Sequence, residues 1–328
     1  MPRSLSVCAL IVVLCEVSNA ASAVTFDWVT IGDPGNLCDV QSTGCFGAVP
    51  YVYRVARHEV TNSQYAEFLN AVAATDAFGL YDEGMGDPAH EGALHGRGGI
   101  VRAGVSGAYT YSAIAGREAM PVNYVSFVNS MRFANWVHNG QPVGEQGGAT
   151  TEDGAYTITA EGIAANSIAR NEGAVSFVTS EDEWYKAAYY DATSMVYYDY
   201  AYGNDLPTTC AAPSPGSNIA NCDSVVGDLT VVGSYAEAQS PSGTFDQGGN
   251  VWEWNEATVG DLQVLRGGAF YTASDPNLSA TFQGDTTPSA HSHTGFRIAT
   301  IPEPGTAVLV GLGLAVLRIG RRLGRGST

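Results

Sequence analysis

Residues 243–254 read GTFDQGGNVWEW, and little else in the chain constrains the fold so tightly. Two tryptophans and a valine follow a Gly-Gly pair, with Asp246, Asn250 and Glu253 interleaved. Large aromatics carry most of a core's apolar burial. Paired glycines allow backbone geometry that side chains would block. Carboxylate and amide oxygens beside a tight turn can hold a hard cation such as Ca²⁺. One short stretch is therefore expected to serve both as core and as a metal clamp, with the rest of the chain built onto it.

The rest of the chain reads as an exported domain between two processing segments. Residues 1–23 carry Arg3, a short apolar run and the triplets SNA and ASA, the pattern of a cleaved signal peptide. At the other end, Pro302-Glu303-Pro304 precedes a thirteen-residue apolar run and then Arg318, Arg321, Arg322 and Arg325. That run is marginal for a membrane span, and the basic cluster marks a cytoplasmic flank. Between the ends, residues 24–301 hold 10 basic and 31 acidic groups, and Lys186 is the only lysine. Such a surface repels phosphate backbones and argues against nucleic-acid binding, while it suits cations. Cys8 and Cys15 lie in the signal segment. Cys38 and Cys45 flank one short loop, Cys210 and Cys222 another. Two local pairs in an exported chain point to two loop-closing disulfides, and spacing without CxxC or nearby His argues against zinc.

Gly is abundant, at 39 residues, and charged residues make up only 15%, which favours a fold rich in turns over a helical bundle. In 58–73, Tyr65, Phe68, Leu69 and Val72 recur at three and four, with Thr61 or Asn62 as N-cap, so a helix is predicted. A second helix is expected over 126–139 and a third over 180–190, where Ser180 and Glu183 form a capping box. Strands are expected at 26–31, 51–55, 155–158, 175–179, 264–268 and 295–298. Helices among short strands and long loops, without βαβ alternation, give an α+β class.

The motifs HEVTNSQYAEFLNAV, MPVNYVSFVNSMRFANW, FVTSEDEWYKAAYYD, GGNVWEW, VLRGGAF and GFRIA stand in one order along residues 50–300. In that order they resemble the formylglycine-generating enzyme family, also called the sulfatase-modifying factor family. The resemblance implies a variant of the C-type lectin fold with bound Ca²⁺, here a domain over 24–300. The tail over 301–328 similarly resembles the PEP-CTERM sorting signal of Gram-negative bacteria. That implies processing by an exosortase and a place at the cell surface or in the extracellular matrix, after a transient stay in the membrane.

Carried over residue by residue, the resemblance implies one Ca²⁺ site from the Asp246 and Glu253 side chains and the Gly249 and Val251 carbonyls. It implies a second from Asn218, the Ile219 carbonyl and Asp223, with Asp228 as fallback. Catalytic relatives oxidise a sulfatase cysteine to formylglycine with O₂ and a copper ion held by two cysteines after RGG. Counting from Arg266-Gly267-Gly268, those positions are Thr272 and Asn277, and no cysteine follows Cys222. Soft sulfur is what selects Cu(I), so copper chemistry is not expected. The sulfoxide synthases of ergothioneine biosynthesis are also relatives, but the separate helical domain holding their iron has no counterpart here. Arg266 and Arg297 are expected to pair with buried carboxylates. His291 and His293 alternate before GFR and could share a metal with His58, His90, His95 or His138, although two exposed loop histidines are the plainer expectation. Tyr189, Tyr190, Tyr197, Tyr198, Tyr200 and Tyr202 either pack under loops or form a sugar-stacking platform. The function expected is an exported binding or structural module, with extracellular polysaccharide as a partner. The competing expectation is a metal-dependent oxidoreductase of the same family.

Overall fold

A computed structural model describes residues 23–89 and 95–302. The apolar run of the signal peptide and the sorting tail beyond Pro302 lie outside the described residues, as does His90. Among the described residues no helix is long and apolar enough to cross a membrane.

Two four-stranded sheets frame the molecule. The first orders Trp28–Ile31, Tyr53–Ala56, Ile298–Thr300 and Ser176–Val178, all antiparallel. The second orders Gly284–Thr286, Leu262–Arg266, Trp252–Val259 and Thr294–Gly295, with the last pair parallel. The first strand of the chain thus pairs with the second long one, and the last strand enters between that strand and Ser176–Val178. Helices α1 (Asn62–Val72) and α2 (Phe127–His138) pack beside the first sheet. Tyr65, Phe68, Phe133, Trp136 and Phe296 meet there; Phe133 lies edge-on to both Phe68 and Phe296 at 5.3 Å between ring centroids. Edge-to-face geometry places the positive rim of one ring on the negative face of the next.

The helix signals act as the sequence predicts. Thr61 Oγ1 accepts from the Gln64 N–H, and Gln64 Oε1 accepts from the Thr61 N–H at 2.9 Å, a closed capping box. Ser126 caps α2 through the Asn129 N–H. In α4 (Glu181–Tyr189), Ser180 and Glu183 cap each other reciprocally. The five-residue helix α3 (Ala160–Ala164) is an addition; it buries no residue, so it leaves no apolar stripe to read.

Two strand expectations change, and one strand is new. Over 155–158 only Tyr156 bridges, to Arg170, because the Tyr156 and Ile158 N–H groups donate to Asn135 Oδ1 and Glu152 O instead. The stretch after Asn250, for which no strand is expected, runs on into the longest described strand, Trp252–Val259. Its first four residues are all buried, so the two-residue alternation that marks a half-buried strand is missing. The expected strand 295–298 is two strands in different sheets, Thr294–Gly295 and Ile298–Thr300. Phe296 and Arg297 carry the chain across between them.

Candidate functional site

The crossing at Arg297 lies against the tryptophan turn. Asp246 and Asn250 adopt positive φ, 61° and 62°, and Gly249 takes 122°. A Cβ at Gly249 would lie 2.5 Å from the Asn221 carbonyl oxygen, so no side chain fits there. This backbone turns the polar side chains inward, where each finds partners. Asn250 accepts from the Thr230 N–H at 3.0 Å and donates to Glu59 Oε1 at 3.1 Å. Asp246 accepts from the Gly233 N–H at 2.6 Å. Trp254 Nε1 donates to the Val125 carbonyl at 2.8 Å.

At the centre, Glu253 and Arg297 are both fully buried. Arg297 Nε donates to Glu253 Oε2 at 2.6 Å and Arg297 Nη2 to Oε1 at 2.5 Å, a bidentate pair. Trp184 Nε1 adds a third donor to Oε2 at 2.8 Å. Arg297 also donates to the carbonyls of Ala56, Arg57 and Phe245. One guanidinium therefore ties the second sheet, through Glu253, to the end of the Tyr53–Ala56 strand in the first. Arg266 plays a lesser version of this part, pairing with Glu181 and donating to the Ala280 and Phe282 carbonyls. Arg297 thus meets the expectation of a buried carboxylate partner, while the partner of Arg266 is half-buried.

Two further acids share the pocket of charge. Glu59 is buried, and its Oε2 has no hydrogen-bond partner among the described residues. Burial, and then the charge of Asp246, pushes its carboxyl well above the usual range. Burial also raises Asp246 to about 6, against the Gly233 N–H and Arg297, which favour its charged form.

A family model described as the sulfatase-modifying factor enzyme 1-like domain matches residues 50–301. The chain belongs to this family. Among solved structures, CarF aligns at 19% identity and a TM-score of 0.51, over 86% of this chain and all of that one. Treponema denticola variable protein 1 aligns at 16% identity and a TM-score of 0.50, over 86% and 98%. At such identities the likeness concerns the fold, and it agrees with the loop-rich α+β architecture. A search of curated proteins finds no match.

Within this sulfatase-modifying-factor fold, the residues expected to hold Ca²⁺ are arranged for a different partner. Arg297 donates to both oxygens of Glu253 and Trp184 to Oε2 as well, so a cation would compete with a guanidinium for this carboxylate. Beside it stand Asp246 and the Gly249 and Val251 carbonyls, so water would supply part of the six to eight oxygens that calcium takes. As arranged, a guanidinium already holds the carboxylate that would bind the ion. At the second expected site, Asn218 donates to the Leu206 and Pro207 carbonyls, and its Oδ1 is buried without a partner. Ile219 lies in a two-residue parallel pairing with Thr209–Cys210. Asp223 is exposed, and Asp228 is held by both terminal nitrogens of Arg117.

The copper positions hold no sulfur. Thr272 is buried, and its hydroxyl accepts from the Ala269 N–H at 3.0 Å; Asn277 is half-buried. The four described cysteines close the two expected disulfides, Cys38–Cys45 and Cys210–Cys222. His291 and His293 stack at 5.4 Å between centroids. Burial, then the neighbouring His291, lowers His293 to about 4. His58 instead stacks on Phe245, and His138 accepts from the Val175 N–H, so neither joins the pair. Among the described residues no group of three His, Cys, Asp or Glu is placed to hold a metal.

The tyrosines divide. Tyr189, Tyr190, Tyr200 and Tyr202 are buried, Tyr202 donating to the Gly248 carbonyl behind the tryptophan turn. Tyr190 and Tyr197 line a groove of about 540 Å³ together with Asp33, Asn36, Leu37 and Asp39. Sequence reading missed this groove, since its two walls are more than 150 residues apart. It also missed Glu59 and Arg170; the latter bridges Glu183 and Glu256 at 2.7 Å each. No periodicity or spacing marks those pairs in advance.

Proposed function

We propose that this chain is an exported, surface-sorted member of the family that serves as a binding or structural module. The observation that carries this reading is the pair Thr272 and Asn277 where copper-binding thiols would stand, with Thr272 turned inward onto Ala269. The mature chain then has no free thiol, since its four cysteines are paired. Two disulfides support an oxidising address outside the cytoplasm. In this reading residues 1–23 direct export and 301–328 form the PEP-CTERM tail cut by an exosortase, with extracellular polysaccharide as a partner. The test is to incubate the purified protein with a sulfatase-derived cysteine peptide, copper and O₂, and to weigh the product. No aldehyde is expected; formylglycine above the copper-only control would overturn the reading.

The stacked His291–His293 pair favours a second reading, a metal-dependent oxidoreductase. Tyr271 lies edge-on to His293 at 5.2 Å, and the neutral His293 imidazole has a buried Nδ1 without a partner. Stoichiometric iron or copper in the purified protein, lost on His291→Ala, would establish it over the first.

A further inference from the structure

The tyrosine-lined groove is built partly outside the family-matched residues 50–301, because its first wall is Asp33–Asp39. The Cys38–Cys45 disulfide pins that wall, and Tyr197 Oη donates to the Leu37 and Gly47 carbonyls at 3.1 and 2.9 Å, tying it to the second wall. Two carboxylates line it. Asp33 Oδ2 accepts from Tyr190 Oη at 2.5 Å, and Asp39 Oδ2 from Tyr185 Oη at 2.6 Å and Gln41 Nε2 at 2.7 Å. No described residue donates to Oδ1 of either aspartate. Lys186 Nζ donates to the Asp33 carbonyl at 2.8 Å rather than to a carboxylate. At the rim, Leu37 is 87% exposed, Met195 72% and Val196 44%.

We propose that this groove takes a lysine or arginine side chain presented by a basic segment of a partner protein. The chemistry matches along the length of such a side chain. Its methylene stem can lie on Leu37, Met195 and Val196 while its head reaches the two free carboxylate oxygens. The 31 acidic against 10 basic groups in residues 24–301 attract a basic segment to the chain as a whole, and Asp33 and Asp39 offer it a place in the groove. A sugar ring is the poorer occupant, because stacking needs an open aromatic face. Tyr190 is only 5% exposed and packs against Tyr197 at 4.8 Å between centroids.

This inference deepens the binding-module reading by naming a protein partner for one site. The test titrates the purified full chain with a capped peptide of alternating leucine and lysine, and with the same peptide carrying glutamine for lysine, by calorimetry. The lysine peptide is expected to bind, and to weaken at least about tenfold from about 0.02 to about 0.5 M salt, while the glutamine peptide does not bind. Asp33→Asn with Asp39→Asn should weaken binding at least about tenfold. Because those aspartates also hold tyrosine hydroxyls, Leu37→Ser with Met195→Ser is the second variant. These exposed changes should weaken binding about three- to fivefold with an unchanged melting temperature. Equal binding of the two peptides, no binding by the wild type, or variants that bind like the wild type would each overturn the proposal. So would a chitosan oligomer that binds with the same variant sensitivity where the peptide does not. Formylglycine production, by contrast, would sink the binding-module reading and leave the groove result standing.

Discussion

The tryptophan turn and the tyrosine stretch start from similar material, aromatic rings among carboxylates and glycines, and end differently. At the turn, Glu253, Arg297, Asn250 and Trp184 are buried and answer one another. At the stretch, Tyr190 and Tyr197 face a groove in which Asp33 and Asp39 each keep an oxygen to which nothing described donates. The difference teaches where binding capacity survives. A carboxylate sealed in the core is either paired, like Glu253, or driven toward its neutral form, like Glu59, because an unpaired buried charge is costly. One at a groove keeps water as a partner and can exchange it for a ligand.

The largest expected effect breaks the closed side of this comparison. Glu253→Gln leaves Arg297 buried without its counter-charge and should lower unfolding free energy by about 3–5 kcal/mol in denaturant titration. Adding Arg297→Met should recover a substantial part; if the double variant is no better than the single, the pair is not what the single change breaks. On the open side, Cys38→Ser with Cys45→Ser should cost about 2–3 kcal/mol through loop entropy and also weaken peptide binding at the groove. Loss of stability with unchanged binding would show that the Asp33–Asp39 wall needs no staple.

Acid provides a smaller test. Burial, then Arg297 and Arg57, lowers His58 to about 4, whereas the unfolded side chain titrates near 6.5. A depressed pKa means the folded state favours the neutral ring. That contribution is present above about pH 6.5 and is lost as pH falls from there toward about 4. His58 is partly solvated, so the expected loss is about 1 kcal/mol. His58→Gln should remove it, seen as a smaller drop between pH 7 and 4.5 than in the wild type. The smallest effect is expected from EDTA, which should move the melting temperature by no more than about 1 °C. A cation bound only by the folded state would stabilise it by mass action. A large EDTA effect would mean that calcium displaces Arg297 from Glu253 in solution, and would close the comparison from the other side.

Much was legible before any coordinates. Thr61 and Ser180 announced two helices because capping is local chemistry between residues three apart, and the apolar residues over 126–139 announced a third. The two disulfides were readable because each pair closes a short loop. The motif order gave the family, and the positions of Thr272 and Asn277 showed where thiols are missing. The Trp252–Val259 strand was not legible, since burial on both faces erases its alternation.

What the sequence determined alone was therefore whatever depends on neighbours a few residues apart, together with the inventory of chemical groups. Only the tertiary structure decided which groups meet. Glu253 and Arg297 are 44 residues apart, and Asp33 and Tyr190 are 157 apart. Whether a carboxylate faces a guanidinium, a cation or water is set by which sheets and loops converge on it. Such long-range convergence leaves no period or spacing in the chain.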